Sequence, residues 1–148
     1  MIANGALVFI VGLLAGFPYA FVLIGKIVLW PIPGAIDWQM PGDVRGWHMA
    51  HLEGILNGLT LFGVAAIMPR LRLGETALKV VAWGLIITAW GNIIASVIGP
   101  MFGGRGLELG GSVTNRLMYL LFVLAIGTVI VAIALVFHGA RNRRADPS

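Results

Sequence analysis

The residues best suited to chemistry lie close together near the start of a long apolar stretch. Residues 45–58 contain His48, His51, Glu53 and Asn57, surrounded by apolar residues and glycines. Ionisable side chains inside a membrane segment are costly and by default mark a functional site. If this stretch crosses a membrane, it is therefore the first candidate for the site.

The two histidines differ in their positions on the predicted helix. His48 and His51 are three residues apart, so they occupy neighbouring faces of one turn and cannot be opposite axial ligands of one haem iron. His48 lies nearer the start of the helix, where solvation explains it. His51 lies about 9 Å along the helix from Arg45 and is the candidate ligand.

Two glycines share nearly the same face as His51. Gly54 and Gly58 follow it at i+3 and i+7. A face cleared of side chains can hold a large flat ligand such as a porphyrin. Close approach of a neighbouring helix explains the same glycines. The spacing leaves open haem ligation by His51 or helix packing with a hydrogen-bonded histidine.

Other polar residues form two stripes. Glu53 and Asn57 share a second face of the same helix. On that face we expect them either to contact a substrate or to pair with another helix. A later apolar stretch places polar residues at successive i+4 steps: Thr88, Asn92 and Ser96. Hydrogen bonding between helices is the simpler interpretation of Thr88 and Ser96. A site role stays open for Asn57 and Asn92.

Composition narrows the class of protein. The 148 residues are 59% hydrophobic and 11% charged, too few charges to cover the surface of a soluble domain. The length predicts one domain, residues 1–148. There is no cysteine, which excludes disulfides, iron–sulfur clusters and thiolate metal sites. No phosphate loop, nucleophile–base pair or multi-ligand zinc motif is present.

Four apolar stretches are long enough to cross a hydrocarbon core, which takes roughly 20 helical residues. They are residues 6–30, 45–68, 78–98 and 116–137, followed by a tail at 138–148. Each must be helical because unpaired backbone groups are costly in lipid. The sequence therefore predicts an all-α integral membrane four-helix bundle. Lys26 falls inside the first predicted span, where its side chain is expected to reach the interface.

The distribution of basic residues predicts the orientation. Six lie on the side shared by the termini: Arg70, Arg72, Lys79, Arg141, Arg143 and Arg144. Three lie on the other side: Arg45, Arg105 and Arg116. The excess favours cytoplasmic termini in a multi-pass protein of the cell inner membrane. Basic residues placed in this way indicate membrane topology and not nucleic-acid binding.

The polar run on the second span resembles the styrene oxide isomerase family. The resemblance rests on Pro41-Gly42, Gly46-Trp47, Ala50-His51 and Leu56-Asn57-Gly58, and later on Trp90, Asn92 and Arg105-Gly106-Leu107. It covers roughly residues 41–107, while the first and fourth spans match only in being apolar.

The resemblance implies a small four-helix membrane enzyme that forms homotrimers and carries haem b near the subunit interface. Such enzymes convert aryl epoxides such as styrene oxide into aryl acetaldehydes by a Lewis-acid, Meinwald-type rearrangement. His51 stands at the position of the iron ligand, with Trp47, Gly54 and Gly58 expected beside the cofactor. Asn57 matches an asparagine that positions the epoxide oxygen.

One position departs from the family. Ser96 stands where the family has a tyrosine near the substrate, so Ser96 and Asn92 are expected at a pocket of altered shape or substrate range. Two other classes stay open on the residues. One is a haem-binding electron-transfer or quinone-linked membrane subunit, which usually needs a second axial histidine, and His138 lies at the far end of its helix. The other is a haem-free transporter or assembly subunit, with Glu53 and Asn57 as a polar relay.

Overall fold

In the computed structural model, residues 1–142 are described, and within them the chain forms four long helices. They are α1 (Ile2–Ile24), α2 (Val44–Ile67), α3 (Glu75–Phe102) and α4 (Val113–Asn142). A short 3-10 turn, Met68–Arg70, follows α2. All four helices are long and apolar enough to cross a membrane. The predicted all-α membrane four-helix bundle is confirmed.

The first and last helix bounds differ from the predicted spans. The first helix ends at Ile24, because Gly25 takes the left-handed conformation (φ 69°) and closes it. Lys26 is therefore outside the helix and exposed, so its prediction inside the first span was wrong. The last helix continues to Asn142, which makes the start of the predicted tail helical. Residues 143–148, with Arg143 and Arg144, lie outside the described residues.

The third helix is longer at both ends than predicted. Gly99-Pro100 was expected to close it, but the helix continues through Pro100 to Phe102. Its end is set instead by Gly103, whose N–H donates to the Gly99 carbonyl oxygen at 2.8 Å and whose φ is 77°. A proline costs a helix one hydrogen bond, which a last turn tolerates more readily than a central one.

The contact between α1 and α2 is made by backbone against backbone. A Cβ atom added at Gly12 would lie 2.7 Å from the Gly54 carbonyl carbon, and one at Gly58 would lie 2.9 Å from the Gly5 carbonyl oxygen. Small residues at such spacing are what allow membrane helices to approach closely. The side chains of Val8 and Leu61 fill the core next to this contact.

The contact between α3 and α4 includes a hydroxyl pair. Thr88 Oγ1 lies 2.9 Å from Thr128 Oγ1 and 3.1 Å from the Ala125 carbonyl oxygen. The predicted interhelical hydrogen bond of Thr88 is thereby confirmed. Towards the other end of the same two helices a cavity lies beside their contact.

Candidate active site

A cavity of about 480 Å³ lies between the first half of α2, the second half of α3, the first half of α4 and the connection before α4. Its apolar lining comes mainly from Met49, Met118, Phe122, Val123 and Ile126. Charged residues lie where the helices begin or end: Asp43, Arg45 and Arg105. We call these three residues the mouth of the cavity.

Polar side chains line the cavity farther from the mouth. Glu53 of α2 is roughly 12 Å beyond Arg45 along the helix axis, at 1.5 Å per residue. On α3, Asn92 and Ser96 face the same space on successive turns. We call Glu53, Asn92 and Ser96 the polar wall. The cavity thus combines an apolar lining with a few convergent polar groups, as small-molecule sites do.

Ser96 does not hydrogen-bond another helix. Its side chain is 6% exposed and lines the cavity. Within residues 1–142 its hydroxyl has no hydrogen-bond partner, although helical serines commonly bond the carbonyl four residues earlier. The simpler interpretation of Ser96 from the sequence was therefore wrong. The expectation that Asn92 and Ser96 lie at the same pocket agrees with their positions.

Asn57 lies one helical turn after Glu53 on α2 and does not line the cavity. Its Nδ2 donates to the Glu53 carbonyl oxygen at 2.8 Å and to Glu53 Oε2 at 3.0 Å, so both of its N–H groups are engaged. The structure therefore brings Glu53, not Asn57, to the place where a substrate would bind. A direct contact of Asn57 with an epoxide oxygen finds no support in this geometry.

Tyr119 of α4 also lines the cavity, next to Met118. Sequence reasoning missed it because the fourth span was treated as uniformly apolar. Its spacing to Phe122 and Ile126, at i+3 and i+7, was the available signal that one face of α4 is distinct.

His51 faces α1 instead of the cavity. Its Nδ1 donates to the Gly12 carbonyl oxygen at 2.8 Å, and its ring stacks on Tyr19 with centroids 6.3 Å apart. Because Nδ1 carries the proton, the neutral ring keeps a free lone pair on Nε2. Histidines that bind metals usually donate their other nitrogen to such a carbonyl. His51 therefore fits the role of an iron ligand through Nε2.

His48 is exposed and packs its ring against Tyr19 at 5.1 Å. Among the described residues, no group of three or more histidine, cysteine or acidic side chains is placed to hold a metal ion. Any metal held by His51 would therefore need a cofactor that brings its own ligands. Haem is such a cofactor.

The three residues expected beside a haem are used otherwise. Gly54 and Gly58 are buried against α1, so the helix-packing alternative holds for them and the porphyrin-facing prediction is corrected. Trp47 is 4% exposed, and its Nε1 donates to the Pro41 carbonyl oxygen at 2.7 Å. The Trp47 ring is therefore packed inside the protein instead of facing a haem. His51, by contrast, keeps Nε2 free to ligate a metal.

The chain matches the styrene oxide isomerase family over residues 1–141. It belongs to the styrene oxide isomerase family. A styrene-oxide isomerase from Pseudomonas fluorescens is 28% identical over 158 aligned positions, which cover 99% of this chain and 92% of the relative. The predicted enzyme class, an isomerase acting on epoxides, is confirmed, and the match extends beyond residues 41–107 to all four helices.

The first block of residues that resembles the isomerase family has a clear structural use. Gly42 has a φ of 98°, and an added Cβ would lie 2.6 Å from the Pro100 carbonyl oxygen. A Cβ added at Gly46 would likewise lie 2.9 Å from Pro100 Cβ. Together with the bond from Trp47 to Pro41, these contacts fasten the segment before α2 onto the end of α3. The block thereby holds the mouth side of the cavity together.

The second block forms the cavity wall before α4 in this isomerase. Gly106 is buried with a φ of 61°, and an added Cβ would lie 2.8 Å from Met118 Cβ. Asn115 Oδ1 accepts hydrogen bonds from the backbone N–H groups of Arg105, at 3.0 Å, and Gly106, at 2.9 Å. A single amide side chain therefore shapes the turn that carries Arg105 and Leu107 to the cavity.

Proposed function

We propose that this isomerase converts aryl epoxides such as styrene oxide into aryl acetaldehydes, with haem b as its cofactor. Family membership supports the epoxide substrate. The observation that carries the cofactor proposal is the hydrogen bond from His51 Nδ1 to the Gly12 carbonyl oxygen, which leaves Nε2 free to ligate iron. Haem bound there would supply a Lewis acid to polarise the epoxide oxygen.

The rearrangement itself needs no second substrate. The benzylic C–O bond breaks, a hydride moves from the neighbouring carbon to the benzylic carbon, and the carbonyl forms at the carbon that retains the oxygen. Positive charge develops at the benzylic carbon during this change, and water would trap it as a diol. An apolar lining such as Met118, Phe122 and Ile126 excludes water and thereby protects the rearrangement.

We propose a homotrimer with haem near the subunit interface, and the positions of His51 and the cavity support a site shared between neighbouring copies. Met49 and Glu53, each two residues from His51, line the cavity, and two residues correspond to about 200° around a helix. His51 therefore points away from the cavity of its own chain. An assembly in which His51 of one copy adjoins the cavity of the next would bring ligand and pocket together.

We further propose that the isomerase lies in the cell inner membrane with both termini in the cytoplasm, its apolar outer faces in lipid. Because Lys26 lies beyond α1, it joins Arg45, Arg105 and Arg116 on the far side. The count by sequence is then six basic residues against four, which still favours cytoplasmic termini.

No observation favours the electron-transfer alternative. A second axial histidine would have to face His51 from another helix. His138 lies near the end of α4, where its Nε2 is 2.9 Å from Asn142 Nδ2. His48 is exposed on the same helix as His51.

The test combines a spectrum with a labelled substrate. Purified protein is expected to show a Soret band, to release haem b on extraction and to form phenylacetaldehyde from styrene oxide. Styrene oxide deuterated at the terminal carbon should give aldehyde that keeps all of its deuterium, because the hydride moves within the molecule. Aldehyde formed by haem-free protein would contradict the cofactor. Loss of deuterium to water would contradict the hydride shift, and a six-coordinate bis-histidine spectrum without turnover would favour electron transfer.

A further inference from the structure

The polar wall has hydrogen-bonding capacity that the protein does not use. Ser96 is buried, yet of the residues that the structure describes none accepts from or donates to its hydroxyl. The amide of Asn92, one turn away in the same cavity, is also without a protein partner in the described part of the chain. Thr88, one turn further along α3, is by contrast bonded to α4. Both groups are open to the cavity, since no buried side-chain nitrogen or oxygen of the described residues lacks a partner. Polar groups that face an apolar cavity at membrane depth are costly to leave unpaired, so they indicate a polar ligand.

The third member of the polar wall is held in place. Asn57 donates from Nδ2 to the carbonyl oxygen of Glu53 and to its Oε2, which fixes the carboxyl group. The other carboxyl oxygen of Glu53, Oε1, has no partner among residues 1–142. Holding one oxygen while leaving the other free is the arrangement expected of a residue that binds a hydrogen-bond donor.

The cavity has room for more than the smallest aryl epoxides. Its volume of about 480 Å³ lies within the range of sites that hold drug-sized ligands, roughly 300–1,000 Å³. The apolar side chains suit the aromatic ring and the developing cation. The neutral amide of Asn92 and the hydroxyl of Ser96 instead suit a hydrogen-bonding group on the substrate.

We propose that Glu53, Asn92 and Ser96 form a subsite for a hydrogen-bonding group on the aromatic ring of the epoxide. The preferred substrates are then aryl epoxides that carry a hydroxyl or amino substituent. A hydroxyl group suits the three residues, because it can donate to the Glu53 carboxyl and accept from the Asn92 amide or the Ser96 hydroxyl. This inference rests on the proposed function and names its substrate class.

The test compares meta-hydroxystyrene oxide with meta-methylstyrene oxide, whose substituents are similar in size. Sites built to hydrogen-bond a hydroxyl discriminate strongly against analogues that lack it. We expect the unaltered protein to prefer the hydroxyl compound by at least about tenfold in kcat/KM. Ser96→Ala and Asn92→Leu should each reduce this preference about three- to tenfold, by slowing the hydroxyl substrate more than the methyl substrate.

The control is Thr88→Val, which removes a hydroxyl from the same helix outside the cavity and should leave the preference unchanged. If the unaltered protein converts both epoxides equally well, the inference is overturned while the proposed function stands. If Ser96→Ala and Asn92→Leu slow both substrates equally, the two residues act in the reaction and the inference is again overturned. Absence of aldehyde from either epoxide would refute the proposed function, and the inference with it.

Discussion

The Nδ1 nitrogen of His51 donates a hydrogen bond to the carbonyl oxygen of Gly12, 2.8 Å away. The carbonyl is part of an α-helix, and it is reachable because glycines keep this side of α1 free of side chains. At Gly16, an added Cβ would lie 3.0 Å from the same imidazole nitrogen. The bond sets the tautomer and the plane of the ring, and so directs Nε2 away from α1.

The first prediction concerns this ring. His51→Ala should lose bound haem, because it removes the free Nε2 lone pair, while the protein still inserts into the membrane. Haem per protein is measured from the Soret band and from extracted haem. His48→Ala is the matched control and should keep the full complement, since its ring is exposed and contacts only Tyr19 among the aromatic rings of the described residues. A normal Soret band in His51→Ala would remove this residue as the ligand.

The second prediction concerns the α1–α2 contact. Gly54→Ala should destabilise the protein by about 1–3 kcal/mol, because its added Cβ would collide with the Gly12 backbone. Gly63→Ala, on the same helix, meets nothing within 4 Å and should be close to neutral. Thermal unfolding in detergent compares the two variants. Equal melting temperatures would show that the helices are not held as closely as this contact requires.

The helix bounds show which physical information a sequence carries. Hydropathy and length predicted four helices correctly, because lipid forces every backbone group in a span to be paired within it. The ends were less predictable. Pro100 was expected to end α3, but its ring packs against Gly46 and Gly42 and the helix continues past it. That contact is tertiary, and no local pattern contains it.

The candidate site also depends on tertiary contacts that no local pattern contains. Helical spacing correctly grouped His51, Gly54 and Gly58 on one side of α2, but it could not say what lay against that side. The structure shows that α1 covers the two glycines. Likewise the i+4 spacing paired Glu53 with Asn57, yet only the packing of α3 and α4 determines that Glu53 is the one that reaches the cavity.

The third prediction concerns the turn at the cavity mouth. Asn115 accepts from the backbone N–H groups of Arg105 and Gly106 and donates to the carbonyl oxygens of Glu108 and Gly110, at 2.9–3.1 Å. Asn115→Ala should raise KM for styrene oxide about tenfold with a smaller change in kcat, because the turn that borders the cavity loses its support.

Asn115→Asp tests the same turn more finely. It keeps the oxygen that accepts from Arg105 and Gly106 and loses the two donors, so KM should fall between those of the unaltered protein and Asn115→Ala. Val113→Ala, whose side chain is 76% exposed, serves as the control. Unchanged KM in Asn115→Ala would mean that the turn does not limit access to the cavity.

The last prediction separates two roles for Asn57. One role is direct contact with the epoxide oxygen. The other is to hold the Glu53 side chain in position, which the two hydrogen bonds from the Asn57 amide favour. If Asn57 acts through Glu53, then Asn57→Ala and Glu53→Ala should each lower kcat/KM for meta-hydroxystyrene oxide about tenfold. The double variant should then be little worse than either single one, because residues that act as a unit are not additive. Independent contacts with the substrate would instead multiply the two losses. All rates are taken per bound haem, so that weaker cofactor retention does not imitate a catalytic loss. Multiplied losses would return Asn57 to the epoxide, whereas a single shared loss would assign it to the positioning of Glu53.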